Sequence, residues 1–70
     1  MNYVVVIEKA DDGSYSAYVP DLPGCVSCGD SVAEVRKLIE EAVELHIESL
    51  RRHGETIPLP TTITDIVHAS

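Results

Sequence analysis

One stretch of the sequence has helical periodicity, and it carries a single apolar stripe. Val35, Leu38, Ile39, Ala42, Val43, His46 and Leu50 recur at spacings of three and four, which lines them along one side of an α-helix. Glu34, Glu40, Glu41, Glu44 and Glu48 fall mostly on the other side. Ser31-Val32-Ala33-Glu34 fits a capping box, Arg51 and Arg52 suit the negative end of the helix dipole, and Gly54 is a natural stop. The spacing predicts a helix from about Ser31 to His53. One such helix covers one face of one small sheet, and that limits what the rest of the chain can build.

Ahead of the helix the period drops to two. Residues 2–9 and 14–19 are rich in β-branched and aromatic types and read as a β-hairpin. Ala10-Asp11-Asp12-Gly13 supplies the turn, with Gly13 free to take a positive φ. If Val5 lies opposite Ala17, then Tyr3, Val5, Ile7, Tyr15, Ala17 and Val19 share the core face. The other face then carries Val4, Val6 and Tyr18. Pro20-Asp21-Leu22-Pro23-Gly24 breaks regular structure. A third strand over about Cys25–Cys28 and a fourth over Thr61–Val67 complete an α+β order of β-β-β-α-β, a small antiparallel sheet with one helix on one face. A chain of 70 residues supports one domain, residues 1–70, since at this size only about 60% of the unfolded surface is buried.

Charge narrows the function. Five Lys and Arg stand against twelve Asp and Glu, a net charge of −7. Binding to nucleic acid draws on basic residues to neutralise phosphates, so no direct nucleic-acid partner is expected. An acidic surface favours encounter with a basic protein. The apolar stretch Val4–Ile7 is too short for a signal-peptide core or a membrane span. A cytoplasmic protein with no membrane association is the expectation.

No catalytic, metal-binding or cofactor-binding set stands out. Asp11 and Asp12 fall in a hairpin loop and Asp30 beside a helix cap, where aspartate serves turns and caps; Asp21 belongs to the Pro-Asp-Leu-Pro-Gly break. Cys25 and Cys28 have C-x-x-C spacing, but a zinc site usually needs four ligands and a redox pair needs a helix start. Three apart on a strand they point to opposite faces, as small apolar fillers. His46 lies within the apolar stripe, and neither it nor His53 pairs with a nucleophile recognisable in the sequence.

The run Asp11-Asp12-Gly13 followed by Tyr15-Ser16-Ala17-Tyr18-Val19-Pro20-Asp21-Leu22-Pro23-Gly24-Cys25 resembles the amino-terminal domain of the HicB antitoxins. Gly29-Asp30-Ser31 opening an acidic helix and Gly54-Glu55-Thr56-Ile57-Pro58-Leu59-Pro60 closing it continue the likeness over nearly the whole sequence. Asp21, Pro23, Gly24 and Ser31 are its structural markers. The resemblance implies a partial ribonuclease-H-like fold without nuclease activity, binding HicA, a small basic ribonuclease that cleaves messenger RNA. Many members carry a further carboxy-terminal domain that binds the operon's promoter. With the sequence reaching Ser70 directly after the expected fourth strand, that domain and its DNA binding are not expected here.

Two functions stay open at this point. One is an antitoxin that masks a HicA-like toxin, with Glu34, Glu41, Glu44 and Glu48 complementing a basic groove. The other is a solitary homo-oligomeric module, a homodimer or larger, with no toxin. Either would use the uncovered sheet face bearing Val4, Val6 and Tyr18, because apolar patches and free strand edges invite partners. A metal-dependent nuclease ranks last.

Overall fold

The computed structural model describes residues 1–70. Three strands, β1 (Val6–Lys9), β2 (Tyr15–Tyr18) and β3 (Val26–Gly29), form an antiparallel sheet in the order β1-β2-β3. One helix, α1 (Val32–Arg52), packs on one face. The α+β class and the three strands followed by a helix match the expectation.

The hairpin register differs by two residues. Ile7, not Val5, stands opposite Ala17, and Lys9 opposite Tyr15. The loop is tighter than expected because it is stitched internally. The Ala10 amide donates to the Ser14 carbonyl at 2.8 Å, and Asp12 Oδ1 accepts from the Ser14 amide and hydroxyl at 2.9 and 2.6 Å. Gly13 takes φ 88° in this loop. A slip of two leaves every side chain on its expected face. Val5, however, is not core: it sits at the sheet edge and is 36% exposed.

The core joins Ala17 and Val19 of the β2 region to Leu22, Cys25, Val35 and Ile39. Tyr3, Ile7, Tyr15, Ala42, Val43 and Ile47 pack around it half-buried. Leu38, placed in the stripe by its spacing, is exposed, and Ile47 takes up packing instead. Leu22 is fully buried although it lies in a loop. Two successive turns put it there. The Leu22 amide donates to Val19 O at 3.1 Å and the Cys25 amide to Leu22 O at 3.1 Å. Each turn has proline second, at Pro20 and Pro23, and Gly24 stands third in the later one with φ 84°. Proline followed by a positive-φ glycine is the signature of a type II turn. The loop therefore turns Leu22 inward while Asp21 is left at the surface side.

Both helix ends are capped. Ser31 Oγ accepts from the Glu34 amide at 3.1 Å, which is one half of the capping box. At the other end the Gly54 amide bonds Arg51 O and the Glu55 amide bonds Leu50 O, with Gly54 at φ 68°. That pair of bonds is a Schellman motif.

The fourth strand does not form. Residues 55–70 make no ladder with the sheet. Asp21 takes the Thr61 and Thr62 amides that a ladder would use, and Ile63, Ile66 and Val67 are 91%, 94% and 86% exposed. A strand exists only against a neighbour, and this segment has none within the chain.

Candidate interaction surfaces

Three features are exposed and organised: the outer sheet face, the outer side of α1, and a groove between β1 and α1.

The outer face follows from the register. Val6 pairs with Tyr18, and Tyr18 with Val26. These three make an apolar row across all three strands, on the side away from the core residues Ala17 and Val19. Tyr18 is 40% and Val26 64% exposed. Glu8, Ser16 and Cys28 form the next row on that face. Val4 and Val6 are half-buried. Val26 was not among the expected interface residues, although alternation from the inward Cys25 places it there.

The segment 57–62 borders the molecule near the start of β1. The Tyr3 hydroxyl donates to the Pro58 carbonyl. Asp21 then holds the next turn of chain with four bonds: from the Thr61 amide and hydroxyl, both at 3.1 Å, and from the Thr62 amide and hydroxyl at 3.0 and 2.9 Å. The Thr62 amide bond chiefly holds the Asp21 carboxyl below the usual carboxylate range, against a smaller opposing push from burial; the Thr62 hydroxyl and the Thr61 bonds add to the lowering. This clamp leaves Tyr18 and Val26 open. It gives Asp21 a tertiary role beyond the local turn expected of it. Thr61 and Thr62 carry no sequence signal for it, since their partner is 40 and 41 positions away.

Glu34, Glu41, Glu44 and Glu48 are all exposed. Glu48 pairs with Arg52 at 2.7 Å, in the open. Glu34 and Glu41 lie opposite Val35 and Ile39 on α1, on the far side of the domain from the Val6–Tyr18–Val26 row, whereas Glu44 and Glu48 border the edge of the molecule beside Tyr3 and Val43. The candidate interface residues of the sheet and those of the helix therefore lie on separate surfaces.

The groove arises because α1 lies over β3 and β2 and touches β1 least. Val5, Ile7, Ile39 and Val43 line it, together with Arg36, Glu40 and Glu44.

The titratable groups are dispersed. No three His, Cys, Asp or Glu side chains gather closely enough to hold a metal ion. Asp12 is engaged by Ser14, whose hydroxyl chiefly lowers its carboxyl's proton affinity. Cys25 is buried, which pushes its thiol up, and Cys28 is exposed on the opposite face. His46 is half-buried and His53 closes the helix, its Nδ1 2.7 Å from the Ser49 carbonyl. No helix is long and apolar enough to cross a membrane.

The chain is a three-stranded antiparallel sheet backed by one helix. The same arrangement occurs in the crystal structure of the N-terminal domain of the Burkholderia pseudomallei antitoxin HicB, with a TM-score of 0.75 and 30% identity over 84% of this chain and 69% of that one. Residues 3–70 match the family of HicB-like antitoxins of bacterial toxin–antitoxin systems, and the chain belongs to that family. A UPF0150 protein of Thermoplasma acidophilum is 44% identical over 99% of this chain and all of its own length. One from Synechocystis is 47% identical over 81% of this chain and 72% of its own. A 14.9 kDa protein of Haemophilus phage HP1 is 38% identical over 97% of this chain and half of its own length. Membership of an antitoxin family points to binding, not catalysis, and to a toxin as partner.

Proposed function

We propose that this domain, as a single unit of residues 1–70, neutralises a small basic HicA-like ribonuclease by stoichiometric binding in the cytoplasm. It masks the toxin's active surface and performs no chemistry itself. The observation that carries the proposal is the exposed outer side of α1, where Glu34, Glu41 and Glu44 make no ion pair within the chain even though Lys37 lies among them. A ribonuclease that grips phosphates presents cations, and a row of free carboxylates competes for them. Such complementarity raises the association rate more than the final affinity, and salt screens it over about 8–10 Å. With a net charge of −7, the domain itself is not expected to bind nucleic acid.

The test is an RNA-cleavage assay with a HicA-like toxin, titrated with this protein. Cleavage is expected to stop at a fixed molar ratio, with a complex visible by gel filtration. Unchanged cleavage at excess protein, with no complex, would refute the proposal.

A further inference from the structure

Two parts of this chain lack a partner, and they match. The segment beyond Thr62 is exposed, with Ile63, Ile66 and Val67 each 86% or more open to solvent. The groove beside β1 is apolar, and β1 is an edge strand whose outer backbone groups are unpaired. We infer that Ile63–Val67 of one copy adds as a strand to the β1 edge of a second copy, the two chains exchanging these segments symmetrically.

Surface area supports an exchange of that size. The chain exposes 5433 Å², whereas a folded monomer of 7.6 kDa exposes about 4,300 Å². The excess, about 1,100 Å² per chain, exceeds the roughly 800 Å² that each partner buries in a standard stable interface. The shape agrees: the radius of gyration is 13.6 Å, against about 11 Å for a compact chain of this length.

The segment itself is suited to pairing. Thr61-Thr62-Ile63-Thr64-Asp65-Ile66-Val67 is mostly β-branched, which favours strands. In a strand, Ile63, Asp65 and Val67 share one side and Ile66 takes the other. Ile63 and Val67 then fill the groove beside Val5, Ile7, Ile39 and Val43. Asp65 shares that side with Arg36, which makes no ion pair within its own chain. Glu40 and Glu44 stay on the same groove as the opposing charge. Ile66 faces the side of Val4 and Val6.

The Asp21 clamp favours a second copy over the chain's own edge. It fixes Thr61 and Thr62 at the β2–β3 connection, after the chain has already passed Tyr3. Returning to its own β1 would need a reversal directly after Thr62, and the one turn-forming residue in Thr62–Val67, Asp65, comes three positions later. Exchange keeps the clamp intact.

The exchange requires no toxin, so its test is separate from the cleavage assay. Sedimentation equilibrium of the full chain is expected to give twice the monomer mass. In Ile63→Asp/Ile66→Asp the dissociation constant is expected to rise at least about a hundredfold, with unchanged helical circular dichroism. Val5→Asp, which spoils the groove and keeps the segment, should behave alike. Mixing the two variants should restore a mixed dimer, because one arm remains whole. A monomeric wild type overturns the inference and leaves the groove to another partner. So does a variant that dimerises as tightly as wild type, or a mixture that stays monomeric. A monomer that still blocks RNA cleavage sinks this inference alone; a dimer that fails to block it sinks the toxin reading alone.

Discussion

Asp21 and Thr62, 41 positions apart, are joined twice: the Thr62 amide meets Oδ2 at 3.0 Å and the Thr62 hydroxyl meets Oδ1 at 2.9 Å. The contact fastens the segment after the helix to the loop between β2 and β3, and it responds to pH. Because these bonds favour the carboxylate, the Asp21 carboxyl titrates below its ordinary value of 3.8 in the folded chain. Its contribution is present above that value and is lost as pH falls through the lowered one. Hydrogen-exchange protection of the Thr61 and Thr62 amides is expected to be level near neutrality and to collapse only in acid. Asp21→Asn should lose that protection at every pH while the Ala17 and Ile39 amides keep theirs. Protection that survives in the variant would show the clamp to be incidental.

Gly24 holds φ 84° in open space, so an alanine there meets backbone strain and no clash. Gly24→Ala is expected to lower unfolding free energy by about 1–2 kcal/mol, with Gly24→Asn costing less. Urea denaturation measures both. Equal stability of Gly24→Ala and wild type would contradict the turn geometry.

Leu22 is one of six buried residues and plugs the core from a loop. Leu22→Ala is expected to cost about 2–5 kcal/mol. A domain this small has little in reserve, so a substantial unfolded fraction should appear in thermal melts. A loss below about 1 kcal/mol would mean that the loop relaxes into the cavity.

Ser31→Ala removes the acceptor for the Glu34 amide and is expected to cost about 1 kcal/mol. Ser31→Asp should retain most of it, because a carboxylate also caps a helix start. The order wild type, aspartate, alanine in urea midpoints checks the cap.

Under the proposed function, Glu34→Lys/Glu41→Lys should slow association with a HicA-like toxin about tenfold or more at low salt, with the difference shrinking as salt rises. Both side chains are exposed; Glu34 stands in the first turn of α1, so the variant also loses about 0.3–1 kcal/mol of stability and stays folded. Stopped-flow mixing reads the rate. Salt-independent association would remove electrostatics from the proposal.

Local chemistry carried the parts of the fold that sequence made legible. Ser31, Gly54 and the Val35–Ile39 spacing mark the helix through backbone needs that are settled within a turn or two. Alternation placed Ala17 and Val19 inside and Tyr18 outside even with the register off by two, since an even slip preserves the faces. What could not be read was non-local. The Asp21 bonds to Thr61 and Thr62 depend on where the chain returns after 40 residues. The expected fourth strand rested on β propensity, which creates no partner strand. The placement of the candidate interface residues is non-local as well: sequence marks Val4, Val6, Tyr18 and the four glutamates as candidates, but only the two-layer packing shows that the sheet residues and the glutamates lie on different surfaces.

That separation has a consequence for assembly. The Val6–Tyr18–Val26 row and Glu34 and Glu41 of α1 point in opposite directions across a core one sheet and one helix thick. A ligand on one does not occupy the other. Under the proposed function, a toxin held on the outer side of α1 leaves the Val6–Tyr18–Val26 row of this 7.6 kDa body uncovered, so a second partner can extend the complex past one-to-one.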